Sequence, residues 1–287
     1  MTDLAEMPPA RRIALSGGGW LHVHEQAGRK PTMLLLHGFT DCAQSYRLLL
    51  PHLAGRHIVI PDLRGHGQSF RASISSLDDF CADIEAMADG LRVGPVTLVG
   101  HSMGALIALR LAARGRLPVA TLVTLSGSLA PASPTLAKVA RQFAGLPHPL
   151  PVDHPFLDDW YACRRPVPPA FLRPLRTGCA AMRREDWAAC LALLQRVDLR
   201  MEARKLAARA LVIGGADDPL FPESHQIDLA STLPRAIRLS LSGVGHNPHW
   251  ENAHEVAGEL MLFEQGVEPI GGHPVPVSVG KDGLADS

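Results

Sequence analysis

The chain has no excess of either charge: among 287 residues, 28 Lys and Arg stand against 28 Asp and Glu. Without a basic surplus it carries no electrostatic footprint for nucleic acid or an anionic membrane surface. The pairs Arg164-Arg165 and Arg183-Arg184 are too short to form a basic run. It lacks any stretch of about 18 apolar residues, so hydropathy offers no candidate membrane span. It also lacks a C-x-x-C pair. The cysteines are Cys42, Cys81, Cys163, Cys179 and Cys190, an odd number, which argues against a disulfide framework or zinc ribbon and fits a reducing compartment. Met1 to Arg12 is polar and has no apolar core of a secretory signal. The expected address is cytoplasmic, and no internal repeat is visible.

What the chain does have is apolar material, 46% of its residues against 20% charged, enough for a sizeable core. Short apolar runs bounded by Gly and Pro occur at Met33–Leu36, His57–Ile60, Val96–Val99 and Val119–Leu125. Such runs suit strands buried on both faces of a parallel sheet. Before them, Ile13–Leu15 and Trp20–His24 flank three glycines and read as a hairpin. Helical patterns lie between the runs at Gln44–Leu53, Leu77–Leu91 and Met103–Arg114; Leu77, Phe80, Ile84, Met87 and Leu91 mark one helix face. Strand–helix alternation implies an α/β fold with a doubly wound, mostly parallel sheet. It stops near Ala130, and no convincing strand appears until Leu206. That interval includes a proline-dense stretch, Pro147 to Pro174, followed by helical patterns at Arg183–Gln195 and Leu199–Ala208. Strands resume at Ala210–Gly214 and Ile237–Leu241, with helices at Glu223–Leu233 and Ala253–Gln265. The organisation expected is a core of residues 1–129 and 207–266, a helical insertion at 130–206 and a flexible tail at 267–287.

Gly100-His101-Ser102-Met103-Gly104 fits G-x-S-x-G. The bare pattern is weak evidence, but here it follows an apolar run and opens an apolar helix, where a nucleophile elbow must sit. Glycine at 100 and 104 removes Cβ atoms that would clash with neighbouring backbone in so sharp a turn. A serine hydroxyl needs a base within hydrogen-bond reach and a third group to orient that base. Past the strand at 210–214 stand two adjacent acids, Asp217 and Asp218, either of which lies on the required sheet edge. Past the next strand, Gly245-His246-Asn247-Pro248 supplies a base, His246, with His249 as its nearest rival. His37-Gly38-Phe39-Thr40 follows Met33–Leu36. The backbone N–H groups of Phe39 and Met103 are therefore the candidates for an oxyanion hole, each worth about 3 kcal/mol. His37 reads as a structural hydrogen-bonding residue. His22 and His24 alternate on a strand with no third ligand nearby, so no metal site is expected.

Taken with Pro61-Asp62-Leu63-Arg64-Gly65-His66-Gly67-Gln68-Ser69, these motifs run in order over residues 13 to 265, and the sequence resembles the α/β-hydrolase superfamily. It looks most like bacterial single-domain members such as enol-lactone hydrolases, carbon–carbon bond hydrolases and small esterases. The resemblance implies that the catalytic acid lies three residues after a Gly, which selects Asp218 counted from Gly215. It implies that residues 130–206 cap the active site and that Asp62–Ser69 is structural. Haloalkane dehalogenases and epoxide hydrolases share the scaffold but carry Asp at the elbow, so Ser102 argues against both reactions.

The function expected is a serine hydrolase that cleaves an ester or lactone of a small apolar substrate through an acyl-enzyme on Ser102, with His246 and Asp218 completing the triad. No cofactor or metal is expected, and the protein is expected as monomer or homodimer. Within the insertion, Phe143, Phe156, Trp160, Tyr161, Phe171, Met182 and Trp187 supply apolar surface. Trp160, Tyr161 and Trp187, with Phe39, are the expected substrate contacts, the alternative being that the insertion's side chains mostly form its own small core. Arg164, Arg165, Arg183 and Arg184 either meet a substrate carboxylate or form a solvated face. Alternatives on the same scaffold are a carbon–carbon bond hydrolase, a cofactor-free perhydrolase or acyltransferase, and a non-catalytic ligand receptor.

Overall fold

The structure, a computed structural model, describes residues 4–268 and 273–274. The apolar runs become strands because both of their faces find cover. β1 (Ala10–Ala14) and β2 (Trp20–Gln26) form the hairpin, with Ala14 opposite Trp20. β3 (Arg29–Leu36), β4 (Arg56–Pro61), β5 (Val96–His101), β6 (Val119–Leu125), β7 (Arg209–Gly215), β8 (Ala236–Leu241) and β9 (His273–Pro274) complete the sheet. The order is β1-β2-β4-β3-β5-β6-β7-β8-β9. Every neighbouring pair from β4 through β8 is parallel, whereas β1, β2 and β9 pair antiparallel. The tail expected at 267–287 lies largely outside the described residues. Within it, His273 and Pro274 pair with Arg238 and Ile237.

Alternation along each central strand divides the core into two layers. Leu34, Leu36, Leu98, Leu122 and Val212 face one side with α1 (Leu77–Gly90) and α2 (Met103–Arg114). Met33, Leu35, Val99, Val123, Leu211 and Ile213 face the other with α10 (Ala253–Glu264). α1 starts where Ser76 and Asp79 form a reciprocal capping box, and α2 ends at Gly115 in the left-handed conformation. The expected helix at 44–53 is instead two single 3-10 turns, Ala43–Tyr46 and Leu50–Leu53. Pro51 has no N–H to continue an α-helical ladder.

Between β6 and β7 lie α3 (Pro134–Gly145), α4 (Phe156–Trp160), α5 (Pro169–Ala181), α6 (Arg184–Leu194) and α7 (Arg200–Ala203). α7 is one turn rather than the longer helix expected there, because the chain must straighten to enter β7 at Arg209. α8 (Glu223–Thr232) follows β7, and α9 (Pro248–Glu251) precedes α10. Among the described residues no helix is long and apolar enough to cross a membrane.

The register decides which loops meet. Leu36 lies beside Gly100, Gly100 beside Thr124, Leu125 beside Ile213 and Gly215 beside Leu241. The chain therefore leaves β3, β5, β7 and β8 along one sheet edge, where ligands bind in open parallel sheets.

Candidate active site

The turn between β5 and α2 holds Ser102 at φ 52°, ψ −115°. A non-glycine residue rarely adopts this conformation, so close packing must hold it there. Its N–H donates to Leu125 O at 2.9 Å. A Cβ at residue 100 would lie 2.3 Å from Gly104 O, and one at residue 104 would lie 2.2 Å from Leu36 O. Both contacts are with backbone, which cannot swing aside, so the turn and β3 approach this closely only with glycine at both positions.

The structure brings Ser102, His246 and Asp218 together. His246 Nε2 lies 2.9 Å from Ser102 Oγ, and His246 Nδ1 lies 2.8 and 3.0 Å from the two Asp218 oxygens. Asp218 Oδ1 also accepts the amides of Leu220 and Phe221 at 2.8 and 2.9 Å. Burial pushes the Asp218 carboxyl up, but the His246 charge, the hydrogen bond from that ring and the two amides together hold it below the usual carboxylate range. With Asp218 ionised, Nδ1 carries the imidazole proton and donates it to the carboxylate. Nε2 is then free to accept from the Ser102 hydroxyl. Of the two acids left open by position alone, Asp217 is exposed and Asp218 is buried against His246. His249 makes no bond to Ser102. It is fully buried, and neither of its ring nitrogens has a partner among the described residues.

Further histidines hold the loops. His101 Nε2 donates to His246 O at 3.0 Å. Burial, and next the nearby His246 charge, push its pKa down to about 3, so its ring is neutral. His37 Nδ1 donates to Gly38 O and Nε2 accepts from Leu63 N, each at 2.9 Å. His37 thereby ties the loop after β3 to the segment beginning at Asp62. Asp62 accepts the amides of Ala43 and Gln68, at 2.7 and 2.9 Å. His22 meets Asp62 and His24 meets Pro8 O, so the alternating pair is engaged separately.

The loop after β3 reaches Ser102. A Cβ on Gly38 would lie 3.3 Å from Ser102 Cβ. Among the described residues, neither the Phe39 nor the Met103 backbone N–H has a protein acceptor. Two unsatisfied amides beside a nucleophile-like hydroxyl form a site for developing negative charge.

A cavity of about 320 Å³ opens onto Ser102 and His246. Phe39, Trp160 and Tyr161 line it, together with Leu136 and Val139 from α3 and Leu191 from α6. Trp160 Nε1 donates to Thr40 Oγ1 at 2.8 Å, and Thr40 Oγ1 donates to Phe39 O at 2.6 Å. Trp187, expected to contact substrate, does not line this cavity. It is buried against Phe143 and His148, where its large ring fills the space between α3 and α6. Arg164 lines the cavity, whereas Arg165 bonds to Ser242 O, Arg183 to Asp186 and Arg184 to Leu146 O.

Sequence reading did not single out Leu136 or Val139, although their spacing on α3 was a usable signal. It also missed Asp41, which lines the cavity and is 4% exposed. Burial pushes the Asp41 carboxyl up to about 8, against a smaller opposing effect of a backbone hydrogen bond at Gly38.

Comparison with known proteins agrees with this architecture. The family model described as alpha/beta hydrolase fold matches residues 31–150. The chain is 28% identical over 256 residues to the magnesium-chelatase 30 kDa subunit of Rhodobacter capsulatus, covering 82% of this chain and 87% of that protein. It is 37% identical over 111 residues to the lipase LipV of Mycobacterium tuberculosis, 38% of this chain and 42% of that one. Among solved structures, the esterase EaEST from Exiguobacterium antarcticum superposes with a TM-score of 0.79 at 17% identity, covering 90% of this chain and all (100%) of that chain. With its parallel sheet, its strand–turn–helix serine and this match over residues 31–150, the chain has the α/β-hydrolase fold.

Proposed function

We propose that this protein is a serine hydrolase that cleaves a carboxylic ester or lactone of a small, largely apolar substrate. The observation that carries the reading is the unbroken hydrogen-bonded line Ser102–His246–Asp218 beside the two unsatisfied amides of Phe39 and Met103. His246 Nε2 takes the Ser102 proton as Oγ attacks the substrate carbonyl, and Asp218 stabilises the imidazolium that forms. The Phe39 and Met103 amides receive the oxyanion. His246 then protonates the departing alkoxide, leaving an acyl group on Ser102. A water molecule that gives its proton to the same nitrogen releases the acid. This route calls on no metal or cofactor.

Residues 130–206 act as a cap, with Trp160 and Tyr161 lining the cavity and the Trp160 ring edge-on to Phe39. The mostly aromatic and aliphatic lining and the modest volume favour an aryl or medium-length acyl group. The 37% identity to a lipase over 111 residues supports the choice of ester cleavage.

A fluorophosphonate probe and a panel of p-nitrophenyl esters, lactones and a ring-fission diketone test the assignment. The parent protein should be labelled and turn over esters or lactones. Ser102→Ala should go unlabelled and lose about 10⁴-fold or more in kcat. Labelling that persists in Ser102→Ala, or exclusive turnover of the diketone, refutes the reading.

A further inference from the structure

Glu251 is the last residue of α9 and is 8% exposed. A carboxylate so placed is unfavourable unless its oxygens are hydrogen-bonded. Among the described residues it has no ion pair with Arg or Lys, and its oxygens are met by backbone amides alone. Oε2 accepts the N–H groups of Arg164, Arg165 and Gly245 at 2.9, 3.0 and 3.1 Å. Oε1 accepts the Asn247 N–H at a longer 3.4 Å. A Cβ on Gly245 would stand 3.0 Å from Oε1 and 3.2 Å from Arg164 Cγ, so the glycine there admits both the carboxylate and the arginine stem.

These donors come from two places. Gly245 and Asn247 are the residues on either side of His246. Arg164 and Arg165 belong to the segment between α4 and α5, and Arg164 lines the cavity over Ser102. One carboxylate thus clamps both flanks of His246 and fastens them to the helical insertion.

We propose that Glu251 is a positioning residue that sets the His246 imidazole against Ser102 and couples that alignment to the part of the insertion that walls the cavity. This rests on the reading of Ser102 as nucleophile. The neighbouring tie from His101 to His246 O holds the same loop from beneath, and Glu251 holds it from the insertion side. Glutamine at 251 is nearly isosteric. Its carbonyl can keep the three donors at the Oε2 position, but its NH₂ then faces the Asn247 N–H, donor against donor. Aspartate keeps the charge but is one carbon shorter.

The test measures Glu251→Gln and Glu251→Asp in the full chain. Three measurements are made: p-nitrophenyl butyrate kinetics, the rate of fluorophosphonate labelling, and the downfield proton resonance of His246 Nδ1–H shared with Asp218. That resonance is assigned by its loss in His246→Ala. A loop displaced by about 1 Å should lower kcat and the labelling rate by up to about 10²-fold while KM changes less than about threefold. The Nδ1 proton resonance should shift or broaden. Parent-like kcat, labelling and resonance in folded Glu251→Gln overturn the proposal, as does a change confined to KM. If neither variant folds, Glu251 is a folding determinant and the proposal likewise fails. The resonance needs no turnover, so it separates the two ideas. A parent that resists the probe refutes the nucleophile reading, while a resonance perturbed in Glu251→Gln still supports positioning.

Discussion

A methyl group placed on residue 104 tests whether the close approach of α2 to β3 holds the site. By helix propensity alone, Gly104→Ala should stabilise the protein by about 1 kcal/mol, since alanine is the better helix former. Packing opposes this. The added Cβ would lie 2.2 Å from Leu36 O and 2.6 Å from His37 O, both backbone atoms in the strand and loop beneath Ser102. Relief requires α2 and β3 to part by roughly 1 Å, and overpacking of this kind costs about 1–3 kcal/mol. The steric term exceeds the propensity gain, so net destabilisation is expected. A shift of about 1 Å at the elbow also stretches the 2.9 Å contact from Ser102 to His246, and misplacement of that size costs about 10²-fold in rate. Urea unfolding and kcat/KM on p-nitrophenyl butyrate measure the two effects. Gly258→Ala on the exposed side of α10, where an added Cβ meets nothing within 4 Å, serves as control and should gain stability with unchanged activity. Parent-like stability and rate in Gly104→Ala would refute the steric argument.

Two further outcomes follow from the cavity. The Asp41 carboxyl keeps its proton in the fold up to about 8, whereas the unfolded chain releases it near the ordinary carboxylate value. The stability this contributes is complete below the unfolded pKa and is lost as pH rises through the folded one. Relative to the parent, Asp41→Asn should therefore gain about 1.4 kcal/mol per pH unit between roughly 4 and 8. A pH-independent difference in urea unfolding free energy would contradict it. Trp160→Phe keeps an aromatic wall but removes the donor to Thr40 Oγ1, and with it the restraint on the loop carrying the Phe39 amide. It should cost about 0.5–1.5 kcal/mol of stability and lower kcat more than it raises KM; an unchanged kcat would show that this restraint is dispensable.

Much of the scaffold is written locally. Met33–Leu36, Val96–Val99 and Val119–Leu125 are apolar but for Thr97, Thr121 and Thr124, and residues that alternate along a strand must find cover on both faces. That requirement gives a buried parallel sheet without reference to any distant residue. The glycines at 100 and 104 mark the sharp strand-to-helix turn because only residues without a Cβ fit there. The 3-10 turns at 43–53 show where local reading fails, since an apolar period of helical kind does not reveal that Pro51 interrupts the hydrogen-bond ladder.

Side-chain direction in the irregular loops was not legible in that way. Asp217 and Asp218 are one position apart, and position alone favours neither. The family spacing pointed to Asp218, and the buried side of the loop places that residue against His246. His246 and His249 are likewise three residues apart, and only their packing sends one to Ser102 and seals the other beneath it. Trp187 looked like a cavity residue by composition, yet fills the interior of the insertion. The chain by itself determined the sheet, the turn that presents Ser102 and the order of the groups that follow, because periodicity and turn sterics act over a few residues. Tertiary structure decided which acid, which histidine and which aromatics face the cavity, and that Glu251 clamps the flanks of His246. Loop side chains have no repeating period and take their direction from contacts with residues distant in the chain.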